Sequence, residues 1–168
     1  MSLVTISQKL DAFIESIGRL SAWLILALVL LVAGNVLARN FFHVSSVGLQ
    51  ELEWHLLAAI AILGSIYTLQ QGEHVRVDLF YHTYSLRVKR WMDILIPALI
   101  ILPFAIFMIY LTTDYALQSY GMNEVSPDPG GLPYRYLVKA LLPAGFILIG
   151  LQGFAHLLKA LTHTEQES

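Results

Sequence analysis

Glu51 and His55 stand four residues apart, so on a helix their side chains share one face, at a spacing that two metal ligands could use. Two ligands are an incomplete site. The chain has no cysteine, which removes thiolate ligands, disulfides and thiol catalysis together. Serines, histidines and acids are present, yet none forms a nucleophile elbow or a metal motif. The histidines also raise haem chemistry, as in a membrane anchor of a redox complex, the alternative reading of this chain. His55 and His156 fall at opposite membrane faces on the topology derived below, so one iron cannot take both. His74 shares a side with His156 but lies outside the span. No catalytic, cofactor-binding or metal residue is expected here.

What positions these residues is a set of four long apolar runs, about 20–38, 49–69, 94–113 and 137–158. A helix rises about 1.5 Å per residue, so roughly 20 residues cross a hydrocarbon layer of about 30 Å. The hydrophobic fraction is 57% with 13% charged residues, against about 25% charged in an ordinary globular chain. The segments between the runs are too short to form a soluble domain that could bury them. The fold class is therefore all-α integral membrane: four transmembrane helices plus amphipathic interfacial arm helices, in one domain over 1–168. The first run is read as a retained anchor and not as a signal peptide, because the segment before it is long and amphipathic. With a net charge of −2 and no basic block, nucleic acid is not an expected partner.

Lysine and arginine mark the cytoplasmic side. Lys9, Arg19, Arg76, Arg87, Lys89, Arg90 and Lys159 fall on one side of the four runs, against Arg39, Arg135 and Lys139 on the other. Both termini and the second loop are expected in the cytoplasm. Leu3, Ile6, Leu10, Phe13, Ile14 and Ile17 repeat at helical spacing opposite Gln8, Lys9, Asp11 and Glu15. That pattern suits a surface-lying arm over 3–18, with a helical extension of the first span as the competing reading. A second cytoplasmic arm is expected over about 74–92, extended at first and helical from about Ser85, which could cap it.

Within the spans, Asn35 can hydrogen-bond a neighbouring helix, and Glu51 is expected to face another helix, because a carboxylate in the bilayer usually faces protein or water. Glu53, on a different face, is accounted for by the helix macrodipole. Pro97 and Pro103 should kink span three. The far-side loop Asp114–Arg135 contains Pro127, Pro129, Gly130, Gly131 and Pro133, which specify a bent, ordered turn. Gly145, Gly150 and Gly153 permit close helix approach along span four. No internal repeat and no ionisable residue at the centre of a span suggest an independent pump.

Taken in order, Gln50-Glu51-Leu52, the string Gly72-Glu73-His74-Val75-Arg76-Val77-Asp78, the turn Glu124–Arg135 with its Gly130-Gly131-Leu132-Pro133, and Leu151-Gln152-Gly153 in span four resemble the small membrane subunit of tripartite ATP-independent periplasmic (TRAP) transporters, the DctQ-type small permease. The resemblance covers essentially the whole chain. It implies the bacterial inner membrane, a large permease subunit and a periplasmic solute-binding protein as partners, and sodium-driven uptake of organic acids or similar solutes. It also implies that substrate and sodium sites belong to the large subunit, with this chain as its fixed brace in the lipid bilayer and with a share in docking the binding protein. On that basis Asn35 and Glu51 are candidates for helix or subunit packing. Arg76 and Asp78 are candidates for fixing the cytoplasmic arm, and His74 beside them is a structural or interface candidate. Glu124, Gly130, Gly131 and Arg135 are candidates for ordering the periplasmic turn.

Overall fold

The computed structural model describes residues 3–71 and 84–166, all of them helix or short connection, with no strand among them. Helix α1 is Leu3–Phe42 and α2 is Val47–Gln71. Helix α3, Leu86–Ile96, passes through a π-helical segment, Pro97–Ile101, into α4, Leu102–Gly121. Helix α5 is Tyr136–Gln166. Four stretches are long and apolar enough to cross a membrane: 7–42, 47–70, 86–121 and 136–162. Each contains one of the runs read from the sequence. We call the end carrying the 43–46 and 122–135 connections the loop end, and the other the terminal end.

Helix α1 corrects one expectation. No break separates an arm over 3–18 from the first span; a single rod of 40 residues runs through both, about 60 Å at helical rise. The burial pattern supplies the reason. Ser7, Ile14, Gly18 and Ser21 are buried, and Leu10, Ile17, Leu24, Leu28, Leu31, Asn35 and Ala38 are half-buried. These positions repeat at alternating steps of three and four, which keeps one seam facing the neighbouring helices from end to end. The seam mixes Leu and Ile with small residues and contains no aromatic side chain. Gly18 lies so close against the ring of Tyr67 that a β-carbon there would collide with it, while Phe13 is exposed. A tail docked in this way cannot also lie flat on the membrane.

The second arm shows the same continuity. Its residues 74–83 are outside the described segments, but from Leu86 it forms the start of the rod that becomes span three. Ser85 stands at the N-cap position with no side-chain cap bond. Two prolines account for the π turn. Neither Pro97 nor Pro103 can donate an amide hydrogen, and each ring crowds the carbonyl four residues earlier. The ladder relaxes by widening, and the Leu102 amide donates to the Pro97 carbonyl five residues back.

Helix α5 is the hub. It packs against α1, α2, α3, the π turn and α4, whereas α4 packs chiefly on α5. Its glycines permit this. A β-carbon at Gly145 would strike the Ile62 side chain of α2, one at Gly150 would sit 3.4 Å from Ala105 of α4, and one at Gly153 would lie 2.6 Å from Cγ2 of Ile101. Between helices already surrounded by lipid, close backbone approach of this kind supplies packing that a hydrophobic driving force cannot.

Candidate functional site

The densest polar structure is at the loop end. Helix α4 runs on past Asp114 to Gly121, so the connection is 122–135 and shorter than the expected loop. It begins with a Schellman cap: Asn123 takes φ +46°, its amide donates to the Tyr120 carbonyl at 3.0 Å, and the Glu124 amide donates to the Ser119 carbonyl at 3.1 Å. Asparagine is among the few non-glycine residues that tolerate this left-handed position.

Next comes a tight turn through Asp128-Pro129-Gly130-Gly131. The Gly131 amide donates to the Asp128 carbonyl at 3.0 Å, and Gly130 has φ +81°. Proline at the second position and left-handed glycine at the third give the type II pattern. Two further backbone bonds, Ser126 amide to Leu132 carbonyl and Arg135 amide to Glu124 carbonyl, both 3.1 Å, fold the loop back on itself.

Glu51 closes this loop. One carboxylate oxygen accepts from the Ser126 hydroxyl, and the other accepts from the Leu132 amide at 2.6 Å. A β-carbon on Gly131 would overlap Ser126 and come within 2.9 Å of Glu51 Oε2. The expectation that Glu51 faces another helix is thereby corrected: it faces the loop. The reason is positional. Glu51 lies about one turn inside α2, within hydrogen-bonding reach of the loop's Ser126 hydroxyl and Leu132 amide. His55 Nδ1 lies 2.5 Å from the Glu51 carbonyl oxygen, so its ring bonds to the backbone, not to the carboxylate. Among the described residues no three His, Cys, Asp or Glu side chains converge on a metal position.

Glu124 and Arg135 both help order the turn, by different means. The Glu124 carboxylate is paired with Lys139 at 2.5 Å, whose ammonium also lies 4.2 Å from the ring centroid of Tyr115. The Lys139 hydrogen bond holds Glu124 below the usual carboxylate range. Arg135 contributes through its backbone amide.

Asn35 does reach a neighbouring helix: its Nδ2 donates to Glu53 Oε1 at 3.0 Å. The pair lines a cleft of about 340 Å³ on the outer side of α1 and α2, with Val32, Val36, Arg39, Gln50 and Trp54. Glu53 is therefore more than a macrodipole partner.

The terminal end holds a cluster that the sequence reading missed. Asp11 of α1 pairs with Lys159 of α5 at 2.6 Å. The backbone carbonyl of Asp11 accepts from Gln70 Nε2 at 2.7 Å, and Gln152 Nε2 is 3.5 Å from Asp11 Oδ1. Gln152 has 0% exposure. The available signal was Gln152 itself, an amide in the otherwise apolar stretch 140–155. His74, Arg76 and Asp78 lie outside the described residues.

Nothing in these contacts assembles a nucleophile with a base or a ring of ligands; each bond joins one part of the chain to another. No curated protein matches the chain. A family model does, over residues 28–163, described as "Tripartite ATP-independent periplasmic transporters, DctQ component". That match takes in all of α2 to α4, the Glu51-bound loop and most of α5, so the chain belongs to the DctQ component family of TRAP transporters.

Proposed function

We propose that this chain is the non-catalytic small subunit that braces the large permease of a TRAP transporter during sodium-driven, binding-protein-dependent uptake of an organic acid or similar solute. The observation that carries this reading is the use made of the polar side chains. Glu51, Glu124 and Lys139 hold the loop at one end, and Asp11, Lys159, Gln70 and Gln152 hold helices together at the other. Polar groups spent on internal ties make a stiff body, and a moving transport domain needs a stationary counterpart. Helices about 46–60 Å long, as α5 and α1 are, enlarge that stationary footprint beyond the bilayer's thickness. In this reading the loop end faces the periplasm, the termini lie in the cytoplasm, and the membrane is the bacterial inner membrane.

Reconstitution tests it. Vesicles holding this chain alone should accumulate no solute. Vesicles holding it with its large permease and binding protein should accumulate solute only under an inward sodium gradient. Uptake by this chain alone, or by the permease at full rate without it, overturns the reading. Cysteines placed at Lys89 and at Pro129 test sidedness with an impermeant thiol reagent; outside labelling at Pro129 and protection at Lys89 are expected.

A further inference from the structure

Glu53 is a carboxylate set inside a span, and its described contacts use only one of its two oxygens. Asn35 satisfies Oε1, and no group among the described residues bonds Oε2. Arg39, one helical turn from Asn35 on the same cleft, makes no ion pair among the described residues. Trp54, next to Glu53, is 71% exposed. The cleft thus presents an acid, a base and an indole outward from the α1–α2 pair.

Depth decides what can cover it. Helix α2 has 25 residues, about 37 Å, against a hydrocarbon layer of about 30 Å. Centred in that layer, its first few residues stand outside, and Glu53, six residues in, lies about 5 Å below the hydrocarbon boundary. Lipid ammonium groups sit above that boundary, and acyl chains cannot satisfy a carboxylate. Ionisable residues at such a depth face protein or water. The outer face of α4 differs in kind: Phe104, Ile106, Phe107 and Leu111 are exposed there and are compatible with lipid.

We propose that the cleft formed by Val32, Asn35, Val36, Arg39, Glu53 and Trp54 seats a transmembrane helix of the large permease, which presents a lysine or arginine to Glu53 and an acceptor to Arg39. This rests on the bracing role above and assigns it a face: the α1–α2 side holds the partner, and the α4 side meets lipid. Charge complementarity supplies the specificity, and Trp54 and Arg39 are side-chain types that commonly anchor interfaces. The Asn35 bond prepares the site, because it fixes the carboxylate before the partner arrives.

The test uses the co-expressed complex. Benzoylphenylalanine placed at Trp54 or Val36 should crosslink to the large permease on irradiation, and at Phe107 it should give lipid adducts only. Glu53→Gln, which keeps an acceptor for Asn35, should lower recovery of the complex at least about tenfold while the isolated subunit keeps its helical circular dichroism. Permease adducts from Phe107 but not from Trp54 or Val36, or lipid adducts alone at the cleft, overturn the assignment and leave the bracing role intact. Full recovery of the complex with Glu53→Gln overturns the proposed charge pair. Failure of the unmodified subunit to co-purify with the permease overturns the bracing role and the seat together.

Discussion

The two ends of this bundle are closed by different means. At the loop end a single carboxylate, Glu51, reaches across 81 positions of chain to a backbone amide and across 75 to a hydroxyl. The loop it holds is already shaped by a left-handed asparagine, a type II turn and two backbone bonds. At the terminal end no described connection links α1 to α5, and side chains must do the joining: Asp11 to Lys159, and Gln152 to Asp11 across 141 positions. Backbone donors have fixed positions, whereas long side chains lose rotamer freedom when they are held. The loop end should therefore be the stiffer and the less tolerant of substitution.

The largest expected effect is at Gly131. Gly131→Val must displace Ser126, Glu51 or both, and overpacking of this kind costs about 3 kcal/mol. Thermal unfolding in detergent should show a Tm well below that of the unaltered subunit; an unchanged Tm would remove the case for a stiff loop end. Glu51→Ala comes next. It leaves the Leu132 amide and Ser126 hydroxyl without their acceptor, so limited proteolysis should cut within 122–135 several-fold faster, with Glu51→Gln showing an intermediate rate.

At the terminal end the expected effect is smaller, and its sign depends on shape. The Gln152 carbonyl oxygen has no hydrogen-bond partner among the described residues. Replacing a partly satisfied buried amide with an apolar group of similar size is close to neutral. Gln152→Leu should shift stability by less than about 1 kcal/mol, and Gln152→Ala should cost about 2 kcal/mol through the cavity it leaves. Equal losses for the two would mean that the amide, not its volume, holds α5 to α1.

Acid pH acts on the loop end. Glu124 is held below its ordinary value of 4.5, first by Lys139. A lowered carboxylate pKa means that the unfolded chain takes up the proton first. The stabilisation is therefore complete above the ordinary value and fades as pH falls below it toward the lowered one. Hydrogen exchange of the 122–135 amides should quicken on acidification through that window, and Lys139→Met should flatten the dependence. The smallest effect belongs to Arg19, whose pair with Glu15 is exposed on both sides. Arg19→Ala should change stability by no more than about 0.5 kcal/mol.

The amino-acid sequence by itself determined the four spans. Run length against bilayer thickness is a local property, and each of the four membrane-crossing stretches contains its run. It also determined the ordered turn, because Pro129-Gly130 specifies a type II geometry wherever it stands. Asn35 as a helix-to-helix donor and the close-packing glycines of α5 were readable for the same reason: small or polar residues in an apolar run have few uses. Only the tertiary structure decided that Glu51 serves the loop and not a helix, that Asp11 meets Lys159, and that the tail of α1 continues its span. Those outcomes depend on which groups lie within about 3 Å across separations of 75 to 148 positions. Periodicity records which face of a helix is apolar, and it carries no record of which distant donor that face will meet.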